Sequence, residues 1–248
     1  MKAVTLVAAT LLAGALYVVS PVAKADVMFG SLTPIPACGP VSGPGSVCGI
    51  NETFTSGADT VIAHGFTGAP GPAAGNVNLT LKPFPLNSLA ESGLGVQANN
   101  TATTCTSADC EIQPPQSVSV TRSGNTLITD ALIGSVQAGE SFNFFVQTTE
   151  GGAFTQLGGV ITNTCTFPGG SVAGTDLCRW DAPAGQTRFG VAVQAVIGDE
   201  LLTSVSTAAV PGPIVGAGLP GLDDRFHGTD HMGCHHSFLV NRHFAGTS

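Results

Sequence analysis

The chain has 248 residues, with 8 basic against 16 acidic side chains, a formal charge of −8 and only 10% charged residues overall. Without clustered Lys and Arg, neither nucleic acid nor an anionic membrane surface is expected as a partner. The length suits one all-β domain with appended segments and can bury a sizeable core without depending on disulfides.

The chain opens with Lys2, an apolar run from Ala3 to Val19, and Ala23-Lys24-Ala25. A positive start, an apolar stretch and small residues at the cleavage positions make a secretory signal peptide, residues 1–25, with the cut expected between Ala25 and Asp26. Its removal takes two of the eight basic residues and none of the sixteen acidic ones, so residues 26–248 carry a formal −10. No second stretch of about 20 apolar residues follows, so no further membrane span is expected.

All seven cysteines lie beyond this leader. Six form sequence-local couples, Cys38 with Cys48, Cys105 with Cys110 and Cys165 with Cys178, and Cys234 is left over. Export permits disulfides and short loops close easily, so local pairing is favoured among the connectivities that six cysteines allow.

From Asp26 to about Gly75 the chain is rich in Gly, Pro and Ser, which punctuates loops and excludes long helices. Strand patterns then recur. Val77, Leu79 and Leu81 alternate with polar residues, as do Val118 and Val120. Residues 126–136, 141–147, 159–167, 188–197 and 201–210 are rich in β-formers. Turns are expected at Ser123-Gly124-Asn125, Ala138-Gly139-Glu140, Gly151-Gly152 and Gly198-Asp199, and a helical turn near Leu86 to Ser92. With no amphipathic helix between strands, the pattern predicts an antiparallel β-sandwich of seven or more strands over 26–209.

Candidate chemistry is sparse. The segment VIAHGFTGAP, 61 to 70, resembles the oxyanion loop of α/β-hydrolases, yet no GxSxG string exists and His64 precedes any serine, acid and histidine order. Carboxylate couples that acid–base hydrolysis of sugars needs occur at Asp109 with Glu111, Asp176 with Asp181, and Asp199 with Glu200. Trp180, flanked by Arg179 and Asp181, is a candidate sugar contact, though a Trp beside a cysteine commonly serves packing. No cofactor is expected and no catalytic residue is assigned.

Near the C-terminus, Val210-Pro211-Gly212-Pro213 leads into Ile214-Val215-Gly216-Ala217-Gly218-Leu219-Pro220-Gly221-Leu222. This stretch, 210–222, resembles the start of a PEP-CTERM sorting domain, in which a Val-Pro-x-Pro motif precedes an apolar helix and a terminal arginine cluster. The resemblance implies a bacterial exported protein, recognition and cleavage by an exosortase, and attachment to or release from the surface, often in association with extracellular polysaccharide. It also fits a β-rich ectodomain.

After Leu222 the family pattern stops: Asp223, Asp224 and Arg225 stand where the apolar helix belongs, and inserting them would cost several kcal/mol. The tail, 223–248, carries five of the six histidines and is expected to be disordered. Either a shifted reading frame replaced the anchor, or His231, Cys234 and His235, with His227 and His236, form a metal site. The glycines Gly228 and Gly233 oppose the helix that would align His231 with His235. The leading expectation is thus a non-enzymatic exported surface or extracellular-matrix protein with a degenerate sorting signal. The alternative is a secreted carbohydrate-binding module or glycoside-active enzyme on the same sandwich.

Overall fold

A computed structural model describes residues 24–31, 38, 45–57, 59–83, 89–97, 110–167, 171–174, 176–183, 186 and 188–210. The strands of the first half are β1 (Lys24–Met28), β2 (Ser46–Val47), β3 (Asn51–Ser56), β4 (Asp59–Phe66), β5 (Asn76–Val77), β6 (Leu79–Lys82), β7 (Gly93–Val96) and β8 (Ser117–Ser123). The second half adds β9 (Thr126–Gly134), β10 (Ser141–Gln147), β11 (Thr155–Gln156), β12 (Ile161–Thr162), β13 (Ser171–Gly174), β14 (Leu177–Asp181), β15 (Gly190–Ile197) and β16 (Leu201–Ala209). A 3-10 turn, Phe29–Ser31, follows β1.

These strands form two antiparallel sheets packed as a sandwich, the architecture that the sequence predicts. One sheet runs β13-β14-β9-β16-β7-β6-β2, with β1 also on β16. The other runs β11-β10-β15-β8-β4-β3, with β12 on β10 and β5 on β4. Residue alternation drives the layering: in β3, Glu52 and Phe54 are buried while Asn51, Thr53 and Thr55 are exposed. In the same way Val61 and Ala63 of β4 face inward and Ile62 outward, because successive side chains point to opposite faces. The inner faces meet through large rings. Phe29 packs edge-on against Phe54 at 5.1 Å, and Phe144 lies between Phe167 at 5.4 Å and Trp180 at 5.0 Å.

β16 organises the termini. One of its edges pairs with β9 over nearly its whole length, from Leu201↔Gly134 to Ala209↔Thr126. Its other edge is shared: β7 takes the start, at Leu202↔Leu94, and β1 the remainder, from Met28↔Ser204 to Lys24↔Ala208. Lys24 and the end of β16 therefore leave the sandwich side by side. The start of β16 lies at the opposite pole, about 26 Å away at the rise of an extended strand.

Cys38 is bonded to Cys48 and Cys165 to Cys178, and Cys110 is disulfide-bonded as well. Cys105, the expected partner of Cys110, lies outside the described residues. Such bridges persist in oxidising surroundings.

The described structure departs from the sequence reading in three places. Residues 159–167 form only the two-residue β12 rather than a full strand, because the chain turns at Asn163 and Thr164, where Cys165 N–H donates to the Thr162 carbonyl at 2.8 Å. That turn carries Cys165, at a positive φ of 55°, to its partner Cys178. The Gly- and Pro-rich first stretch contains a full hairpin, β3–β4, joined across Gly57, whose φ of 62° a side chain would resist. Within the helical turn expected near Leu86 to Ser92, residues 89–91 form a plain turn closed by Ser92 N–H to the Leu89 carbonyl, and 84–88 lie outside the described residues.

Candidate functional site: a buried carboxyl cluster at one pole

At the pole where β16 begins, two connections cross between the sheets. Residues 135–140 carry the chain from β9 to β10, and Gly198-Asp199-Glu200 carries it from β15 to β16. A third segment, Cys110 to Ile112, lies against both: Ile112 N–H donates to the Glu200 carbonyl at 2.7 Å and Glu200 N–H returns to Ile112 at 3.2 Å. This segment presses close on β7, where a Cβ at Gly95 would collide with the Cys110 carbonyl. Only glycine permits that approach.

Five carboxyl groups converge here. Lys82, at the end of β6, forms ion pairs with Glu91 at 3.0 Å and with Glu111. Ser135 Oγ stands 3.2 Å from Glu91 and 3.4 Å from Glu111, and its single proton can serve one of them at a time. Asp199, beside Gly198 on the same crossing, is near enough to Glu111 and Glu140 to disfavour the ionised form of both. Glu140 in turn accepts the Gln137 N–H at 2.5 Å. Gly198, at a φ of 96°, lies so near the Glu140 side chain that a Cβ there would overlap it.

Glu200 completes the group. It is 0% exposed, and among the described residues neither carboxyl oxygen has a hydrogen-bond partner. A buried carboxylate without donors is strongly disfavoured against its neutral form. Burial first, then the charges of Glu140, Asp199 and Glu111, push the Glu200 carboxyl up to about 9. Burial also pushes Glu111 up to about 8; Asp199 adds to this and the Lys82 ammonium opposes it. Glu140 is raised by burial and by Asp199. Burial pulls the Lys82 ammonium down, but the bonds and charges of Glu111 and Glu91 outweigh it and leave it raised. The arrangement can therefore store protons at pH values where exposed carboxyls have lost them.

The carboxylate couples read from the sequence fare unevenly. Glu111, Asp199 and Glu200 do meet, although Asp109 lies outside the described residues. Asp176 and Asp181 sit at opposite ends of β14, and Asp181 pairs with Arg179 at 3.1 Å. Lys82, Glu91, Ser135 and Glu140 carried no local signal, since only the two crossings bring them together. With Glu111 at 4% exposure and Glu200 at 0%, no glycosidic bond fits between them, as paired-carboxyl hydrolysis requires.

Trp180 offers no sugar platform. It is 0% exposed, its ring covered by Phe144 and approached by the Arg188 guanidinium at 6.0 Å. On β14 the inward positions are Cys178 and Trp180, so alternation sends the indole to the core. His64 lies within β4 rather than on a loop, stacks on Phe66 at 4.3 Å and meets Asn76 Oδ1 at 2.8 Å. A cavity of about 160 Å³ between Arg122, Gln147, Glu150 and Phe189 is below the usual size of a small-molecule site.

Among the described residues, no three His, Cys, Asp or Glu side chains are placed to hold a metal ion. His231, Cys234 and His235 lie outside the described residues, as do Pro211, Gly212 and Pro213 of the expected sorting motif. Val210 is exposed and donates its N–H to the Asn125 carbonyl at 2.9 Å. Comparison with protein-family models, with curated proteins and with solved structures found no match to this chain.

Proposed function

We propose that this chain is an exported, non-enzymatic protein of the bacterial surface or extracellular matrix, delivered and oriented by segments at one pole of its sandwich. The observation that carries this reading is the register Lys24↔Ala208 between β1 and β16. In that register the chain enters β1 and leaves β16 at the same end of the sandwich, which supports a domain whose expected leader and sorting motif both adjoin one pole. The disulfides at Cys38–Cys48 and Cys165–Cys178 support an oxidising destination. The partners this reading implies are an exosortase-type sorting enzyme acting near Pro211 and Pro213, and extracellular polysaccharide.

The test is mass spectrometry of the protein recovered from the cell surface, the medium and the cytosol of its native bacterium. A first residue of Asp26 in the surface or medium fraction is expected. A C-terminus just beyond Pro213 would identify exosortase processing. Protein confined to the cytosol with Met1 or the leader intact would overturn the reading.

A further inference from the structure

We infer that the pole formed by Glu111, Glu140, Asp199 and Glu200 is a proton-operated clasp, closed while its buried carboxyl groups hold protons and released as these are lost. Two geometric observations carry this. The Glu140 side chain packs so closely on Gly198 that a Cβ there would overlap it, and Ile112, next to Glu111, is bridged backbone to backbone with Glu200, so the carboxyls stand where like charges would disfavour one another's ionised form. Glu200 is fully buried with both oxygens unpartnered among the described residues, a position that an ionised carboxylate cannot hold without water or a cation.

The groups tied together belong to different layers. Asp199 and Glu200 lie on the β15–β16 crossing and Glu140 on the β9–β10 crossing, each of which joins the two sheets. Glu111 lies on the segment bridged to Glu200. The remaining charged and polar groups facing the cluster are Lys82 on β6, Glu91 in the turn before β7, and the Ser135 hydroxyl. Lys82 stands against Glu91 and Glu111, and among the described residues Glu200 has no such partner. Loss of the protons thus places uncompensated negative charge between three connections at once. The pole opens there, while the β1–β16 pole, held by strand pairing, stays closed. The clasp does not depend on where the protein resides.

Hydrogen exchange of the intact chain between pH 5 and 9.5, corrected for intrinsic rates, tests this. Amides at 137–141 and 198–201 should open about tenfold more per pH unit for each carboxyl that must lose its proton, levelling near pH 9. Amides of 126–130 and 204–208 should show no such slope. Glu200→Gln, which keeps shape and cannot ionise, should flatten the slope at the clasp, and Glu140→Gln, at a half-exposed position, should do so if the first variant does not fold. An unchanged slope in the folded variant, or an equal slope at both poles, overturns the inference. So does calcium chloride alone binding stoichiometrically and abolishing the slope, because the cluster would then hold a cation in place of protons.

Discussion

Lys82 and Glu111 form an ion pair between two almost wholly buried side chains, although they lie 29 positions apart in sequence. Burial of Glu111 and Glu200 sets the sign of their contribution to the pH dependence of stability. Glu111 and Glu200 have folded-state values of about 8 and about 9, against about 4.3 for an unperturbed glutamate. The folded chain therefore binds more protons than the unfolded chain between about pH 4.3 and these values. Their contribution to stability is complete below pH 4.3 and is lost as pH rises to about 9.

Thermal melts should accordingly show a higher Tm at pH 6 than at pH 9. Exposed carboxyls and ion pairs elsewhere give the opposite trend only at low pH, where they become protonated. In Glu200→Gln the fall between pH 6 and 9 should shrink, and at pH 9 this variant should be more stable than the native chain. A Tm that rises steadily from pH 6 to 9 would contradict the buried-acid account.

The sandwich was legible in the sequence because its central strands alternate plainly. Val118 and Val120 in β8, and Phe142 and Phe144 in β10, mark the inward face by period alone. The β3–β4 hairpin was not legible, since Gly57 and the surrounding polar residues resemble loop punctuation, and Phe54 is the sole large apolar residue of β3. The site was half legible: Asp199 and Glu200 are adjacent in sequence, whereas Lys82, Glu91, Glu111, Ser135 and Glu140 assemble only through crossings between sheets. Trp180 misled because its charged neighbours Arg179 and Asp181 suggest a surface, while strand alternation places only those neighbours outside.

Lys82→Met removes the ammonium facing Glu111 and Glu91. Breaking one side of a buried pair costs about 3–5 kcal/mol when the remaining charge is stranded. Glu111 can escape by taking up a proton, so the loss should approach that figure near pH 9 and be smaller at pH 5. Urea titrations at the two pH values measure the difference. Equal losses at both would mean that the Lys82 stem, rather than its charge, matters.

Trp180→Ala should destabilise the fold by about 3–5 kcal/mol, the cost of removing a large buried aromatic. Phe144 would lose one of the two rings it packs against. Trp180→Phe fills part of the space and should cost less. The polysaccharide association proposed above, measured on the folded Phe variant, should match that of the native chain, because no face of the indole reaches solvent.

Replacing Cys165 and Cys178 together with alanine opens a bridge that spans 13 positions. Loop-closure entropy for that length corresponds to about 3 kcal/mol. Calorimetry should show the loss in the oxidised chain and almost none between the double variant and the fully reduced native chain at this site. A much smaller loss would mean that the turn at Thr162–Cys165 is held by packing of Phe167 alone.

Phe29 fastens the strand that follows the expected leader. Of the five β1 pairs, Lys24↔Ala208 and Ala25↔Thr207 lie before the expected cut, and Asp26↔Ser206, Val27↔Val205 and Met28↔Ser204 lie after it. The apolar anchors are also beyond the cut: Val27 and Phe29 are fully buried, and Phe29 meets Phe54 edge-on. A chain beginning at Asp26 should thus keep β1 docked, while Phe29→Ala in that chain should cost about 3–5 kcal/mol. Exchange at Val205 and Thr207 distinguishes the two effects. Truncation to Asp26 alone should free Thr207 and leave Val205 protected, whereas Phe29→Ala should release both. Release of both by truncation alone would mean that strand pairing upstream of the cut, and not core burial, holds β1 in place.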